Sequence, residues 1–290
     1  MNKILILIKF RITIFVILTS YLGYYLGLRY CGYMMVEQHN ILTFIHLVIG
    51  IFCTSSASGI LNQCIEVNLD AKMDRTHSRP LVIKSLNFST SYFTGILLSV
   101  AGVFYLAYFV NYITAFMAGL TIFSYICIYT PLKVRSKWNT IIGAFPGALP
   151  PVGGWTAATG SLDLPALVLF LILFCWQIPH FFSLAIIYKD DYKKAGFKML
   201  PSIDENLNTT YFQIVFFIMA LIVSSAGIYL LHLTSIVYMI GAVILGLLFL
   251  IYSSNILFRE SDRRIKQLFI FSIIYLPLLM ILILLDTLLL

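Results

Sequence analysis

Asn62, Glu66, Asp70 and Asp74 stand at four-residue intervals in "NQCIEVNLDAKMD", directly after the apolar run "ILTFIHLVIGIFCTSSASGIL". On a helix, residues four apart stack on one face. Asn62, Glu66 and Asp70 would then form a polar stripe of about 12 Å, which Asp74 extends if the helix persists. Carboxylates gathered at one mouth of a bundle repel each other unless a cation sits among them. Mg²⁺ suits such a set, because it takes one or two protein carboxylates and completes its shell with water and phosphate oxygens. The plainer alternative is a helix end whose charges are solvated and paired with Lys72, Arg75 and Arg79. The small-residue run "CTSSASG" (53–59) favours the metal, since it lets neighbouring helices approach closely and aims the stripe inward.

Two further stretches carry chemistry. "WQIPHFFSLAIIYKDDYKKAGFKMLP" (176–201) places Asp190 and Asp191 beside Lys189, Lys193 and Lys194, where a second metal could help clamp a diphosphate. The competing reading is an interfacial turn with Tyr188 and Tyr192 at headgroup level. His180 lies ten residues before Asp190, deeper in the same apolar segment, where a histidine serves as base, metal or haem ligand, or helix tie. "YTPLKVRSKWNTIIGAFPGALPPVGGW" (129–155) brings Lys133, Arg135 and Lys137 to a loop as cations for anionic oxygens, with Asn139 as a neutral donor and acceptor. By itself that loop is a topology signal; opposite two acidic clusters it becomes a phosphate cradle. Pro146, Pro150 and Pro151 among four glycines predict a broken or kinked helix lining a cavity.

The elements that hold these residues are apolar helices. The 290 residues are 60% hydrophobic and 11% charged, with mean hydropathy +0.95, too apolar for an ordinary soluble domain. Runs long enough to cross about 30 Å of hydrocarbon recur near 12–28, 41–64, 86–107, 112–132, 141–158, 165–187, 210–231, 235–257 and 267–285. The expected fold is therefore an all-α polytopic membrane bundle of about nine transmembrane helices. No linker or repeat divides it, and residues 1–290 read as a single domain.

Charge orients the bundle. With the N-terminus inside, every basic residue except Arg29 falls on the cytoplasmic side, including Lys3, Lys9, Arg11, Arg259 and Arg264. Most acidic residues join them, Glu260 among them; Glu37, Asp163 and Asp286 do not. The net charge of +7 then calls for anionic lipid or an anionic substrate on the inner face, and for no nucleic acid. The N-terminal segment reads as a first span rather than a signal peptide, because no small-x-small cleavage site follows. The absence of an Arg- and Ser-rich transit segment points to a bacterial inner membrane. Five isolated cysteines show no metal spacing.

Carboxylates for Mg²⁺, cations for phosphate and an aromatic-rich apolar bundle suit one reaction. A lipophilic allylic diphosphate ionises, aromatic faces shelter the carbocation, and a nucleophile attacks the allylic carbon. The stretch from Asn62 through Pro80 resembles the first signature of the UbiA superfamily of intramembrane prenyltransferases. With 129–155 and 176–201 in the same order, it resembles more narrowly that superfamily's haem-farnesylating branch. Roughly residues 55–205 carry the likeness. The resemblance implies a UbiA-like fold and transfer of a farnesyl group from farnesyl diphosphate to a vinyl group of haem b, giving haem O. It implies that Asn62, Glu66 and Asp70 bind Mg²⁺–diphosphate, Asp190 and Asp191 face them, and Arg75, Arg79, Lys133, Arg135 and Lys189 contact diphosphate. His180 would lie near the haem or the attacking water, and haem-delivery or haem A synthase proteins would be partners.

The sequence departs from the family pattern at Glu66, where Asp is commoner, at Asn68, where an acid often stands, and at Val134 in a usually basic run. Phe181 and Tyr188 occupy the places of acids found in quinone-type relatives, which favours haem as acceptor. A prenyltransferase acting on a quinone or chlorin precursor is the nearest alternative. A transporter or assembly scaffold using the acidic stripe for ion coupling is the alternative of another class.

Overall fold

The computed structural model of the chain describes residues 3–258 and 261–289, with the side chains of 255–258 excepted. Arg259 and Glu260, expected among the inner-face charges, lie outside the described residues. A short helix α1 (Lys3–Leu7) leads into α2 (Phe10–Tyr30), α3 (Gln38–Asp70), α4 (Phe88–Phe109) and α5 (Tyr112–Phe123). Helix α5 passes through a π-helical segment, Ser124–Tyr129, into α6 (Thr130–Leu132). There follow α7 (Asn139–Thr159), α8 (Leu164–Ile187), the short α9 (Lys189–Ala195) and α10 (Leu200–Ile203), then α11 (Asn208–Leu230), α12 (Ile236–Phe258) and α13 (Asp262–Leu289). Among the described residues there is no strand.

Among the described residues, eight segments are long and apolar enough to cross a membrane: α2, α3, α4, the continuous run α5 to α6, α8, α11, α12 and α13. The ninth long helix is α7, equal in length to α2 but rich in proline and glycine. It needs no lipid-facing apolar surface, because it packs on α2, α3, α5 and α8 in the middle of the bundle. Helices α8, α11, α12 and α13 form the other side. Of the two forms expected for the proline-rich segment, broken or kinked, the break does not occur: the helix runs through Pro146, Pro150 and Pro151 without interruption, and Pro146 and Pro150 line the cavity. Pro150 O accepts a hydrogen bond from Ser20 Oγ (3.0 Å), one of several polar ties to neighbouring helices that keep its backbone satisfied.

Close approach of α2 and α7 depends on two glycines. A Cβ on Gly23 would lie 1.9 Å from Pro151 O, and one on Gly154 would lie 1.9 Å from Ser20 O. At the end opposite the basic loops, Asp286 caps α12 by accepting from the backbone N–H groups of Ser235 (2.7 Å) and Tyr238 (3.0 Å). Arg29, expected as the lone basic residue on the outer side, donates to Thr287 O at the same end.

The three polar loops converge at the basic end. Met73, Ala185, Ala195, Phe197 and Met199 form a small apolar cluster that welds 71–87 to 188–207. The backbone N–H of Lys198 donates to Lys133 O (2.7 Å), joining the third loop.

Candidate active site

Helix α3 ends at Asp70, where the Thr76 hydroxyl takes the Asp70 carbonyl (3.0 Å) and the chain turns away. The polar stripe is therefore Asn62, Glu66 and Asp70, all buried. Asp74 does not extend it: its carboxylate is 82% exposed and pairs with Lys194 at 3.3 Å. The four-residue spacing carried the stripe past a helix end that a side chain from six residues on imposes.

Each carboxylate of the buried stripe has a cation. Glu66 Oε1 accepts from Lys133 Nζ at 2.7 Å, and Asp70 Oδ2 pairs with Arg79. Burial pulls the Lys133 ammonium down, but the Glu66 carboxylate and the Tyr129 and Tyr125 phenols outweigh it, and its pKa stands above the ordinary lysine value. Asn62 Oδ1 accepts from Lys9 Nζ (2.5 Å) and its amide donates to Thr130 Oγ1 (3.2 Å).

These groups line one end of a cavity of about 1220 Å³ between α2, α3, α5, α7, α8 and α13. Ordinary small-ligand pockets run to roughly 1,000 Å³, so this one has room for a long chain beside a second molecule. Seven to eleven residues deeper along α8 and α13, about 10–17 Å at helical rise, the wall becomes aromatic. Phe15 stacks on Trp176, which stacks on His180, and His180 stacks in turn with Phe269 at 5.1 Å between ring centroids. Ser272 Oγ donates to Phe269 O (2.6 Å), so its oxygen accepts from His180 Nδ1–H (2.8 Å). That leaves the lone pair on Nε2, on a ring that lines the cavity.

Of the other expected site residues, Arg75 and Arg79 reach the cavity and six do not. Arg135 is exposed on its loop, and Lys189 is half-buried at the start of α9. Asn139 is fully buried and donates to Ser136 O and Lys198 O (2.6 and 2.8 Å), tying loops together. Asp190 is exposed. Asp191, expected to face the first acidic cluster as a metal ligand, accepts instead from the backbone N–H groups of Asp74 and Arg75, each at 3.1 Å. It thereby fixes the loop whose Arg75 guanidinium sits over Tyr188 at 5.3 Å and Tyr192 at 5.9 Å. Asp74 joins these as the sixth.

Among the described residues, no three His, Cys, Asp or Glu gather as a metal cage. The donor set nevertheless fits Mg²⁺, which needs one or two protein carboxylates and takes its other oxygens from water and phosphate. Glu66 and Asp70, one turn apart on a wall crowded with cations, are such a set. Three lining residues drew no attention as ligands in the sequence: Lys9, Tyr125 and Tyr129. Lys9 read as a topology charge; the two tyrosines sit in the π-helical segment, a feature frequent at functional sites but without a sequence signal here.

The UbiA prenyltransferase family model matches residues 14–276. The protoheme IX farnesyltransferase of Solibacter usitatus is 40% identical over 97% of both chains. That of Koribacter versatilis is 36% identical over 97% of this chain and 91% of its own. In fold, the chain is similar to a digeranylgeranylglyceryl phosphate synthase structure, with TM-score 0.82 and 17% identity over 99% and 98% of the two chains. It is also similar to a UbiA homolog from Archaeoglobus fulgidus bound to DMAPP and Mg²⁺, with TM-score 0.63 and 14% identity over 97% and 99%. The matched span, the full-length relatives and the shared bundle agree: this chain belongs to the UbiA prenyltransferase family.

Proposed function

We propose that this protein transfers the farnesyl group of farnesyl diphosphate to a vinyl group of haem b, giving haem O. The observation that carries the reading is a single cavity with an ion-paired carboxylate mouth and an aromatic, histidine-bearing interior. Relatives covering the whole chain are protoheme IX farnesyltransferases, which supports haem as the acceptor.

Glu66 and Asp70 would hold Mg²⁺, which supplies positive charge to the departing diphosphate. Arg79 and Lys133 meet the phosphate oxygens from two different loops, and Arg75 closes the mouth above them. The allylic C1–O bond breaks with its electron pair leaving on the diphosphate. Phe15, Trp176, Phe181 and Phe269 exclude water and stabilise the cation through their ring faces. The terminal vinyl carbon bonds to C1, and the positive charge passes to the carbon beside the pyrrole. Water adds there and loses a proton, leaving the hydroxyl of haem O. His180 Nε2, an acceptor held in one tautomer by Ser272, lines the aromatic interior and would lie near the haem or the attacking water.

Residues 1–290 act as one domain, set in the cell inner membrane with the N-terminus and site loops cytoplasmic. The confinement of every basic residue but Arg29 to one side of the predicted topology supports that orientation. Membranes containing the protein, supplied with haem b, farnesyl diphosphate and Mg²⁺, should yield haem O by mass spectrometry. Unchanged haem together with prenylation of an aromatic acid would overturn the assignment.

A further inference from the structure

We propose that Lys9 is a diphosphate-binding residue, delivered into the active-site mouth by a hook formed by α1 and the turn into α2. This rests on the prenyl diphosphate reading above, and deepens it. Lys9 Nζ donates to Asn62 Oδ1 (2.5 Å) and to the Tyr125 hydroxyl (3.3 Å), and it lines the cavity. Three ion pairs join described residues, Arg79–Asp70, Lys133–Glu66 and Lys194–Asp74, and none includes Lys9. An ammonium in the cavity wall, with neutral oxygens on two of its protons and no carboxylate within ion-pair distance, is set to receive an anion.

Its placement is held by contacts among three neighbouring segments. Lys9 adopts φ 51°, ψ 47°, a left-handed conformation that a residue with a Cβ seldom takes. The Gln63 amide donates to both Ile6 O (2.9 Å) and Leu7 O (2.8 Å), taking the final carbonyls of α1. Thr13 Oγ1 donates to Ile8 O (3.1 Å). Gly59 lets the turn lie close, since a Cβ there would be 3.1 Å from Ile8 O. Backbone strain that several neighbours over-determine, at the edge of a binding cavity, is the pattern of a pre-positioned site residue.

The consequence is a diphosphate held from three segments: Lys9 from the α1–α2 turn, Arg79 from the loop after α3, and Lys133 from the loop after α6. Asn62 turns with the same contact, its oxygen on Lys9 and its amide on Thr130. When the C1–O bond breaks and its electron pair moves to the leaving oxygen, the charge on the diphosphate grows, and the Lys9 contact strengthens with it.

The test uses the purified full chain and measures calorimetric binding of inorganic diphosphate with Mg²⁺, alongside steady-state kinetics. Lys9→Gln should weaken diphosphate binding about tenfold and raise KM for farnesyl diphosphate, with KM for haem b and haem b binding unchanged. Lys9→Arg should restore binding to within about threefold, because charge and reach are kept. Gln63→Leu, which leaves Lys9 intact but loosens the hook, should weaken diphosphate binding to an intermediate degree. Lys3→Gln, an exposed charge on the same segment, should change nothing. Wild-type diphosphate affinity in Lys9→Gln, or parallel loss of haem b and diphosphate binding, would overturn the role of Lys9. If the unaltered protein binds no diphosphate, the prenyl diphosphate reading falls, and this inference with it; if it binds diphosphate but prenylates another acceptor, only the haem assignment falls.

Discussion

Lys133 Nζ sits 2.7 Å from Glu66 Oε1 and 4.6 Å from the centre of the Tyr129 ring, so one ammonium bridges the loop after α6 to the C-terminal end of α3. Both side chains are nearly buried, at 14% and 5% exposure. Breaking such a pair strands a charge in a low-dielectric wall, at a cost of about 3–5 kcal/mol. Lys133→Met should therefore lower the unfolding temperature in detergent markedly. The double variant Glu66→Gln, Lys133→Met should recover much of that loss while remaining inactive, because it removes both charges but also a carboxylate proposed to hold the metal. Recovery of turnover in the double variant would show that the pair is structural alone.

Asp70 and Asp74 are four residues apart in sequence and differ completely in setting. Asp70 is buried against Arg79 on the cavity wall, whereas Asp74 is exposed beside Lys194. Asp70→Asn should reduce haem O formation by about a hundredfold or more, as loss of an electrostatic group at the reacting centre does. Asp74→Asn should stay within about threefold, as expected for an exposed pair. Chelation should stop the wild-type reaction and added Mg²⁺ restore it. Equal losses at both positions would place the metal outside the buried stripe.

Asp191 acts on the site through a loop. Its two carboxylate oxygens take the N–H groups of Asp74 and Arg75, and charge-assisted bonds of this kind are about twice as strong as neutral ones. Asp191→Asn should raise KM for farnesyl diphosphate by letting Arg75 drift from Tyr188 and Tyr192, with haem affinity unaltered. Asp190→Asn, at an exposed position, should match the wild type. A larger effect at Asp190 than at Asp191 would reverse this assignment.

If His180 serves the acceptor, the two halves of the reaction should separate there. Replacing it by alanine removes the Nε2 acceptor and a ring stacked with Trp176 and Phe269, but leaves the carboxylate mouth untouched. His180→Ala should stop haem O formation while slow diphosphate release, with farnesol as product, continues. Ser272→Ala should lower kcat less severely, since it frees the tautomer without removing the ring. Loss of diphosphate release in His180→Ala would tie the histidine to ionisation.

What the sequence discloses and what it conceals divide along a physical line. The long helices are legible because hydrocarbon thickness fixes their length and composition directly, and because loop charge fixes their alternation. The stripe Asn62, Glu66, Asp70 is legible because it lies within one helix. The rest depends on side-chain contacts that helical periodicity does not report, most of them between residues 50 to 120 positions apart. Thr76 stops α3 before Asp74; Gln63 pins the carbonyls beside Lys9; Asn139 is diverted by Lys198; Asp191 is claimed by the loop after α3. Asp74, Asn139 and Asp191 have the residue types of ligands, and tertiary hydrogen bonding or exposure takes each one away from the cavity.

On one side of the cavity, α2 and α7 pack almost backbone to backbone. Gly23 and Gly154 make that contact reciprocally, each facing a carbonyl of the other helix where a Cβ would stand 1.9 Å away. Carbonyl oxygens cannot rotate aside as a side-chain tip can, so a methyl group must push the helices apart. Gly23→Ala and Gly154→Ala should each cost at least the 1–3 kcal/mol or so typical of overpacking, and lower the unfolding temperature accordingly. Gly119→Ala, whose Cβ would meet Val103 only at 4.0 Å, should change stability by less than about 0.5 kcal/mol. Ser20, Pro150 and Gly153 line the cavity beside this contact, so separation of the helices widens the wall that encloses the reacting cation. Gly154→Ala protein that survives purification should therefore divert farnesyl diphosphate to farnesol, measured as a raised ratio of farnesol to haem O; an unchanged ratio would mean that the α2–α7 contact sets stability without shaping the site.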